Sequence, residues 1–283
     1  MNSSKFQRTS SAESSLKDLR GCVSKGVELR MAFYMGWRLF IRDVKARYRK
    51  TMLGYLWAVL PAVGTTLTFI FLNSAQILNA GETGIPYPIY AFIGALFWRL
   101  TITSVTAPME TVQSNLSVMS KVYFPPLAPL ISSVLLTIFD FFINLSLAPV
   151  VMYAFGTTPG MNLIFLPLII LLVLVFGISV GIFLTPINML FQDTRLAVAL
   201  LFSFLVLACP IGYAPAKDTW LGQFMQYNPF AWIIDAARAS MTDLPIEHIP
   251  QLLGLGAASL VLLILASIIY FVVLPIAIER HSA

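Results

Sequence analysis

The sequence predicts an all-α integral membrane protein with six transmembrane helices, an N-terminal amphipathic interfacial helix, and a re-entrant helical hairpin between spans 5 and 6. The first observation is composition: 58% of the 283 residues are hydrophobic and 11% are charged, and the mean hydropathy is +0.82. Soluble domains carry roughly 25% charged residues. The second is a set of six apolar stretches near the ~20 residues that a membrane-crossing helix needs. The third is a shorter apolar helix before the last span.

Residues 1–26 are predicted to form a polar cytoplasmic tail, and charge is concentrated near this end of the chain. Residues 1–53 carry a net charge of +8, and the remaining residues carry −3. Beside a membrane span, such a basic segment indicates contact with anionic lipid headgroups and a fixed topology rather than nucleic-acid binding.

Residues 27–50 are predicted to form the amphipathic interfacial helix. At 100° per residue, one stripe of the helix is apolar and the opposite face is basic. The stripe contains Leu29, Phe33, Trp37, Phe40, Ile41, Val44 and Tyr48, and the basic face contains Arg38, Arg42, Lys45 and Arg49. Arg30 and Arg47 interrupt this pattern, so they must snorkel or pair. Such a helix lies in the membrane surface, either as a topology anchor or as a helix that also docks a cytoplasmic partner.

Residues 51–283 are predicted to form the transmembrane domain. Its six spans are 53–77, 87–110, 127–154, 163–190, 196–214 and 251–275. Lys121, Arg195 and Arg280 follow alternate spans and fall on the same side as the N-terminus. Because Lys and Arg are retained on the cytoplasmic side, both termini are predicted to be cytoplasmic. Loop 215–250 also contains bases, but acidic residues outnumber them.

Residues 215–241 are predicted to form the outer hairpin. Asn228 followed by Pro229 is a favourable N-cap and first-turn pair for a helix over 228–241, which is too short to span. Irregular backbone at membrane depth must be buried or line a cavity, so the hairpin is predicted to border a pathway. Trp220 and Phe224 are candidate gate residues, with hinges at Gly222 and Asn228–Pro229. The alternative is a pair of helices resting on the membrane surface.

Two charges are predicted deep in the membrane, Arg99 in span 2 and Asp140 in span 3. A central charge costs roughly 2.5–3.5 kcal/mol on the insertion scale. Consecutive antiparallel spans can bring the two groups together as an ion pair. A hydrated substrate path and proton coupling are the alternatives.

The chain lacks the residue patterns of common catalytic sites. Its two histidines, His248 and His281, belong to no zinc-type motif, and there is no Gly-rich phosphate-binding loop of the Gly-x-x-x-x-Gly-Lys-Ser/Thr type. The chain is therefore predicted to be no enzyme and to bind no cofactor or metal. If ATP powers it, the ATPase is a separate polypeptide. A membrane enzyme of glycan assembly and a proton-coupled flippase are the alternatives from other classes.

Four segments together resemble a known family. They are RDVKARYRKTMLGYLWAVLPAV (42–63), SNLSVMSKVYFPP (114–126), FQDTR (191–195) and YNPFAWIIDAARASM (227–241). In order and predicted topology they resemble the type-2 ABC exporter permeases of polysaccharides and polyol phosphates, which include O-antigen, capsule and teichoic-acid exporters. The resemblance covers about residues 30–283. Gln192 stands where an Arg often occurs in that family, and Pro61 where many relatives have an acidic residue or Asn.

The resemblance implies a bacterial inner-membrane homodimer that works with two copies of an ATPase carrying ATP and Mg. Its substrate would be a lipid-linked glycan, with drugs or lipids as the alternative cargo. The interfacial helix and loop 114–124, predicted as a short helix, would contact the ATPase. The candidate coupling residues are Arg42, Lys45, Arg49, Lys121, Tyr123 and Phe124. The candidate channel residues besides those above are Tyr55, Trp57, Trp98 and Tyr213.

Overall fold

The computed structural model describes residues 28–47, 49, 52, 54, 56–77, 81, 83–121, 124–191, 193–214, 219–242 and 244–282. Within these residues the regular structure is entirely helical. The helices are α1 (28–47), α2 (Leu56–Ser74), α3 (Tyr87–Met119), α4 (Leu127–Leu145), α5 (Ala148–Ala154), α6 (Leu166–Leu190), α7 (Asp193–Leu205), α8 (Trp220–Met225), α9 (Pro229–Thr242) and α10 (Ile249–Ser282). Two short 3₁₀ helices, Met161–Phe165 and Val206–Ala208, precede α6 and follow α7.

Among the residues that the structure describes, five segments are long and apolar enough to cross a membrane. They are Leu56–Ser74, Tyr87–Met119, Leu127–Ala154, Met161–Leu190 and Ile249–Glu279. They correspond to predicted spans 1 to 4 and 6. The prediction of a multi-pass helical membrane protein is therefore confirmed.

The boundaries differ from the predictions at two places. The third predicted span is interrupted at Ser146 and Leu147, which separate α4 from α5. Helix α3 continues past the predicted end at residue 110 to Met119, so residues 114–119 extend a long helix. The predicted separate short helix over 114–124 was wrong in that respect, because the polar residues after 110 do not interrupt the helix.

The predicted fifth span, 196–214, is not a continuous helix. Helix α7 has 13 residues and passes through the 3₁₀ helix into irregular backbone around Pro210 and Gly212. Proline cannot donate the helical hydrogen bond, and glycine weakens helix propagation. The segment from α7 to Gly212 nevertheless runs alongside α3. At one end of the segment Arg195 pairs with Glu110, and at the other end the Gly212 carbonyl accepts a hydrogen bond from the Tyr87 hydroxyl. At 1.5 Å per residue, Tyr87 and Glu110 are about 35 Å apart along α3.

Helix α3 lies at the centre of the bundle. Most of its residues are buried, and it packs against α2, α4, α6 and α9. Helix α10 packs mainly on α6. We call the Tyr87 end of α3 the hairpin end, because α8 and α9 lie there, and we call the Met119 end the basic end, because Lys121 follows it. The two ends define where the polar groups described below are located.

Helix α1 packs along α4 through a narrow face of small residues. Ala32, Gly36 and Leu39 are buried, and a Cβ atom on Gly36 would lie 2.8 Å from the Ile131 side chain. Phe40 contacts Phe139 with ring centroids 5.8 Å apart. The large residues of the predicted apolar stripe, such as Phe33 and Trp37, remain exposed on the protein. The stripe is thus free to face lipid, while the glycine face permits close approach to α4.

Candidate functional site

Two clusters of polar side chains lie along α3 among the residues that the structure describes. The hairpin-end cluster is centred on Arg238 of α9. The Asp140 cluster is centred on Asp140 of α4 and lies part-way along α3, at the level of Arg99. Buried polar groups in an apolar bundle must find partners, so the two clusters show which elements are held together.

Arg238 is the most buried charged side chain with an ion pair in the described residues, with 3% of the side chain exposed. Its guanidinium donates to the carbonyls of Pro210, Ile211 (2.8 Å) and Tyr90 (3.3 Å), and to the Asp235 carboxylate (3.0 Å). It also lies 3.5 Å from the centroid of the Tyr90 ring, a cation–π contact. A planar group with five donors suits this arrangement, which a lysine could not reproduce.

Arg238 therefore supplies hydrogen bonds to backbone that no helix satisfies. Residues 209–212 are buried and irregular, and unpaired carbonyls at that depth would cost several kcal/mol each. Gly94 of α3 makes room for this packing, since a Cβ atom there would clash with the Ile211 carbonyl and the Arg238 guanidinium. The end of the α7 segment, α9 and α3 are thus tied together at a single side chain.

Asn228 stabilises the same region from the other side. Its side-chain oxygen accepts from the amide of Phe230 (3.0 Å), as an N-cap does at the start of α9. Its amide nitrogen donates to the Ala208 carbonyl (2.9 Å) and lies 3.6 Å from the Cys209 sulfur. The predicted capping role of Asn228 and Pro229 is confirmed, and Asn228 additionally joins α9 to the 3₁₀ helix.

The Asp140 cluster joins α1 to α4. Arg47 donates to Asp140 at 2.5 Å, where the Asp140 side chain is 11% exposed and that of Arg47 is 46% exposed. Arg99, Asp140 and Asn144 line one small cavity between α3 and α4. Arg47 therefore pairs, as its interruption of the stripe predicted. Arg99 and Asp140 are therefore close to each other, and their mutual ion pair stays a prediction.

A second contact fixes α1 to α3. Arg42 donates to the side-chain oxygen of Asn115 at 3.0 Å and pairs with Asp43 at 2.8 Å. Asn115 is fully buried and donates to the Thr111 carbonyl, one turn earlier in α3. Through Arg42 and Arg47, α1 is attached to two transmembrane helices. This is a closer attachment than a freely floating surface helix would have.

The remaining candidate coupling residues do not form a compact cluster among the described residues. Lys45, Arg49 and Lys121 are exposed, whereas Phe124 packs against the apolar cluster around Tyr270. Tyr123 lies outside the described residues. Exposed cations and a partly covered aromatic ring are what a docking surface for a soluble subunit requires, and their role stays a prediction.

The candidate channel aromatics are in different environments. Trp98 is buried, with its ring 5.6 Å from Phe202 and 5.8 Å from Phe230, so it packs in the core in this structure. Tyr213 bonds to the Leu207 carbonyl. Trp57, Trp220 and Phe224 are exposed, and Tyr55 lies outside the described residues. The structure thus leaves only part of the predicted set accessible to a substrate.

Sequence reasoning assigned no role to Arg238 beyond a loop charge. The signal that could have identified it is a single Arg within an otherwise apolar helix, three residues after Asp235. For Arg47 the sequence showed only an interruption of the amphipathic pattern of α1. The Arg195–Glu110 ion pair (3.0 Å) was not predicted. No group of three potential metal ligands occurs among the described residues.

Comparison with known proteins gives these features a context. The family model for "ABC-2 type transporter" matches residues 36–242. An O-antigen export system permease protein RfbA of Myxococcus xanthus is 27% identical over 233 residues, covering 81% of this chain and 88% of the relative. Two proteins of the same name from Klebsiella pneumoniae are 27% and 22% identical, covering 68% and 74% of this chain and 74% and 82% of their own lengths. The family match includes residues 36–47 of α1, both polar clusters, α8 and α9, and the chain belongs to the ABC-2 type transporter family.

Proposed function

We propose that the chain is the membrane permease of an ATP-driven exporter of a lipid-linked polysaccharide of the O-antigen or capsule type. A separate ATPase subunit would bind ATP and Mg and power the movement. The observation that carries this proposal is the similarity to O-antigen export permeases over most of the length of both partners.

The proposed topology has six crossings with both termini in the cytoplasm of a bacterial inner membrane. Five crossings correspond to the long apolar helices. The other is the segment from α7 to Gly212, whose two ends contact Glu110 and Tyr87 along α3. The irregular half of this crossing is supported by Arg238 and Asn228, as broken helices in transporters are supported by neighbouring protein.

Helices α8 and α9 would form the re-entrant hairpin at the outer side. The structure gives two short helices separated by residues 226–228, and α9 is buried against α3, α6 and the 3₁₀ helix that begins at Met161. A short helix enclosed by protein can lie at membrane depth, because its ends need no contact with lipid. In contrast, Trp220 and Phe224 of α8 are exposed and available to a second copy or to the substrate.

Two copies of the chain would form the pathway. Helix α2 has few buried residues, and its exposed side chains include Leu60, Leu67 and Phe71. Lipid satisfies such a surface in an isolated chain, and a second copy does so in a homodimer. Purified protein co-expressed with its genomic ATPase should therefore have a mass corresponding to two copies of each subunit.

The coupling surface would include α1 and the basic end. Arg42 and Arg47 hold α1 on α3 and α4, while Lys45, Arg49 and Lys121 are exposed. A soluble ATPase that pushes on α1 would act on both transmembrane helices at once. This arrangement supports a coupling role for the amphipathic helix beyond that of an anchor.

Transport in proteoliposomes is the decisive experiment. The permease and its ATPase are reconstituted with lipid-linked glycan from the host, and transfer across the bilayer is measured with an impermeant glycan oxidant. Transfer should require ATP and should stop with an ATPase whose nucleotide site is inactivated. Transfer of drugs or phospholipids without glycan would favour the alternative cargo, and glycan polymerisation by the permease alone would favour an enzyme.

A further inference from the structure

A cavity of about 200 Å³ lies at the hairpin end, between α8, α9 and the segment 244–248. Its wall includes Tyr90, Gln226, Trp232, Asp235, Glu247 and His248. Ligand pockets for drug-sized molecules measure about 300–1,000 Å³. The cavity is therefore suited to a group of the size of a single sugar residue rather than to a long segment of polymer.

We propose that this cavity is a saccharide-binding subsite that takes one neutral or amino-substituted sugar residue. The inference rests on the proposed function for the identity of the glycan, and it adds a specific contact on the outer side. Trp232 would stack on the ring, and Asp235 and Glu247 would accept hydrogen bonds from the hydroxyl groups.

The aromatic wall has a fixed orientation. The indole N–H of Trp232 donates to the Gln226 carbonyl at 2.7 Å, and the ring lies 6.5 Å from the His248 ring, tilted by 34°. A sugar ring presents C–H groups on its faces and hydroxyl groups at its edge. A held indole face offers the flat apolar surface that such a ring needs, with little loss of side-chain freedom on binding.

The polar wall has the complementary chemistry. Trp232 and Asp235 are three residues apart on α9, so they lie on the same face of the helix. Glu247 reaches the cavity from the segment after α9, and its carboxylate lies 3.9 Å from the His248 imidazole. Ionised carboxylates only accept hydrogen bonds, and sugar hydroxyls are donors that they can accept.

The charges of the described residues at the cavity disfavour a phosphate group as the ligand. Two carboxylates lie at the cavity, and the nearest guanidinium, that of Arg238, already makes one hydrogen bond to Asp235 and three to backbone carbonyls. An anion in the cavity would lie beside these carboxylates, and the Arg238 guanidinium would not be free to bind it. The subsite therefore fits the glycan portion of a lipid-linked substrate and not its phosphate linkage.

The test is saturation-transfer NMR on the full chain in nanodiscs, without ATP or the ATPase. The probes are methyl α-mannoside, methyl β-galactoside and glucosamine, with inorganic phosphate as a competitor and purified host polysaccharide as a separate arm. Trp232→Ala should reduce saturation transfer from the protein to the ring protons of the sugar by about tenfold, since stacking on the indole contributes ~1.4 kcal/mol. Trp232→Tyr should retain most of it, because a flat ring remains.

Two further variants make the result specific. Glu247→Gln removes the charge of an exposed carboxylate and should weaken the binding of glucosamine more than the binding of the neutral glycosides. Trp37→Ala is the matched control, because this exposed tryptophan lies on α1, away from the cavity. Equal transfer in Trp232→Ala and the unchanged protein, or displacement of the sugars by phosphate, would overturn the proposal.

The assay separates this inference from the proposed function. Sugar binding that depends on Trp232, together with failure of glycan transport by the complete exporter, would support the subsite and remove the proposed function. Glycan transport with no Trp232-dependent sugar binding would support the proposed function and remove the subsite. Binding of host polysaccharide but of none of the small glycosides would overturn the single-residue size limit.

Discussion

The buried Arg238 should contribute more to stability than any exposed arginine of the chain. Replacing it with alanine removes donors to the carbonyls of Tyr90, Pro210 and Ile211. Each buried acceptor left unsatisfied costs about 1–3 kcal/mol. The Asp235 side chain is 49% exposed, so water can solvate its freed carboxylate. We expect Arg238→Ala to cost about 3–5 kcal/mol, the lower part of the range that three unsatisfied carbonyls give.

Arg238→Lys tests whether geometry or charge is responsible. Lysine keeps the positive charge, but a single ammonium cannot reach carbonyls on two elements in the way a planar fork does. We expect a loss of about 1–3 kcal/mol, because only part of the carbonyl set is satisfied. The order of stability should therefore be wild type, then Arg238→Lys, then Arg238→Ala.

Arg195 provides the matched control. It pairs with Glu110 at the same 3.0 Å that separates Arg238 from Asp235, but its side chain is 63% exposed. Exposed ion pairs contribute about 0–1 kcal/mol. In detergent, thermal unfolding followed by tryptophan fluorescence should show a decrease in Tm on the order of 10 °C for Arg238→Ala and about 2 °C or less for Arg195→Ala. Equal decreases would refute the argument that burial determines the contribution.

Three further predictions concern transport, the Asp140 cluster and the basic end. Arg99→Leu should destabilise the protein more than Arg99→Leu combined with Asp140→Leu, because the single variant keeps the buried Asp140 charge with one cationic neighbour fewer, whereas the double change removes that charge; a double-mutant cycle with strictly additive losses would exclude coupling. Lys121→Glu should lower the ATPase activity stimulated by the permease without altering membrane insertion, measured on the co-purified complex; unchanged activity would remove the residue from the coupling surface. A disulfide between the two copies through Trp220→Cys or Phe224→Cys should block glycan transport until it is reduced, while ATP binding persists; full transport by the crosslinked dimer would show that α8 does not gate.

The helical membrane class and most crossings could be predicted, because they follow from long apolar stretches. The spans that became α2, α6 and α10 differ from the prediction by only a few residues in the part that crosses. Helix α9 and its Asn228 cap could also be predicted, since capping is a local interaction between residues close in sequence. Local chemistry and length therefore determine these elements.

The conformation of residues 196–214 could not be predicted, because the irregular part of this segment is stabilised from a distance. The stretch up to residue 214 is apolar enough to suggest a helix, yet its carbonyls are paired with Arg238, 27 residues away from Ile211. The partners of Asp140 illustrate the same limit. A depth argument predicted a pairing with Arg99 and did not predict the contact with Arg47 of α1. Single-sequence periodicity contains no information about such contacts.

The exposure of the arginine contacts differs in a way that matters for a transporter. The Arg238 side chain is 3% exposed, whereas those of Arg47 and Arg195 are 46% and 63% exposed. A buried charge is costly to separate from its partners, so α9, α3 and the end of the α7 segment should move as one body. Water can replace a partner at an exposed contact at little cost. Both partners are exposed at the contact from α7 to α3, so we expect this joint to open and close during a transport cycle, whereas the contact from α1 to α4 includes the buried Asp140 carboxylate.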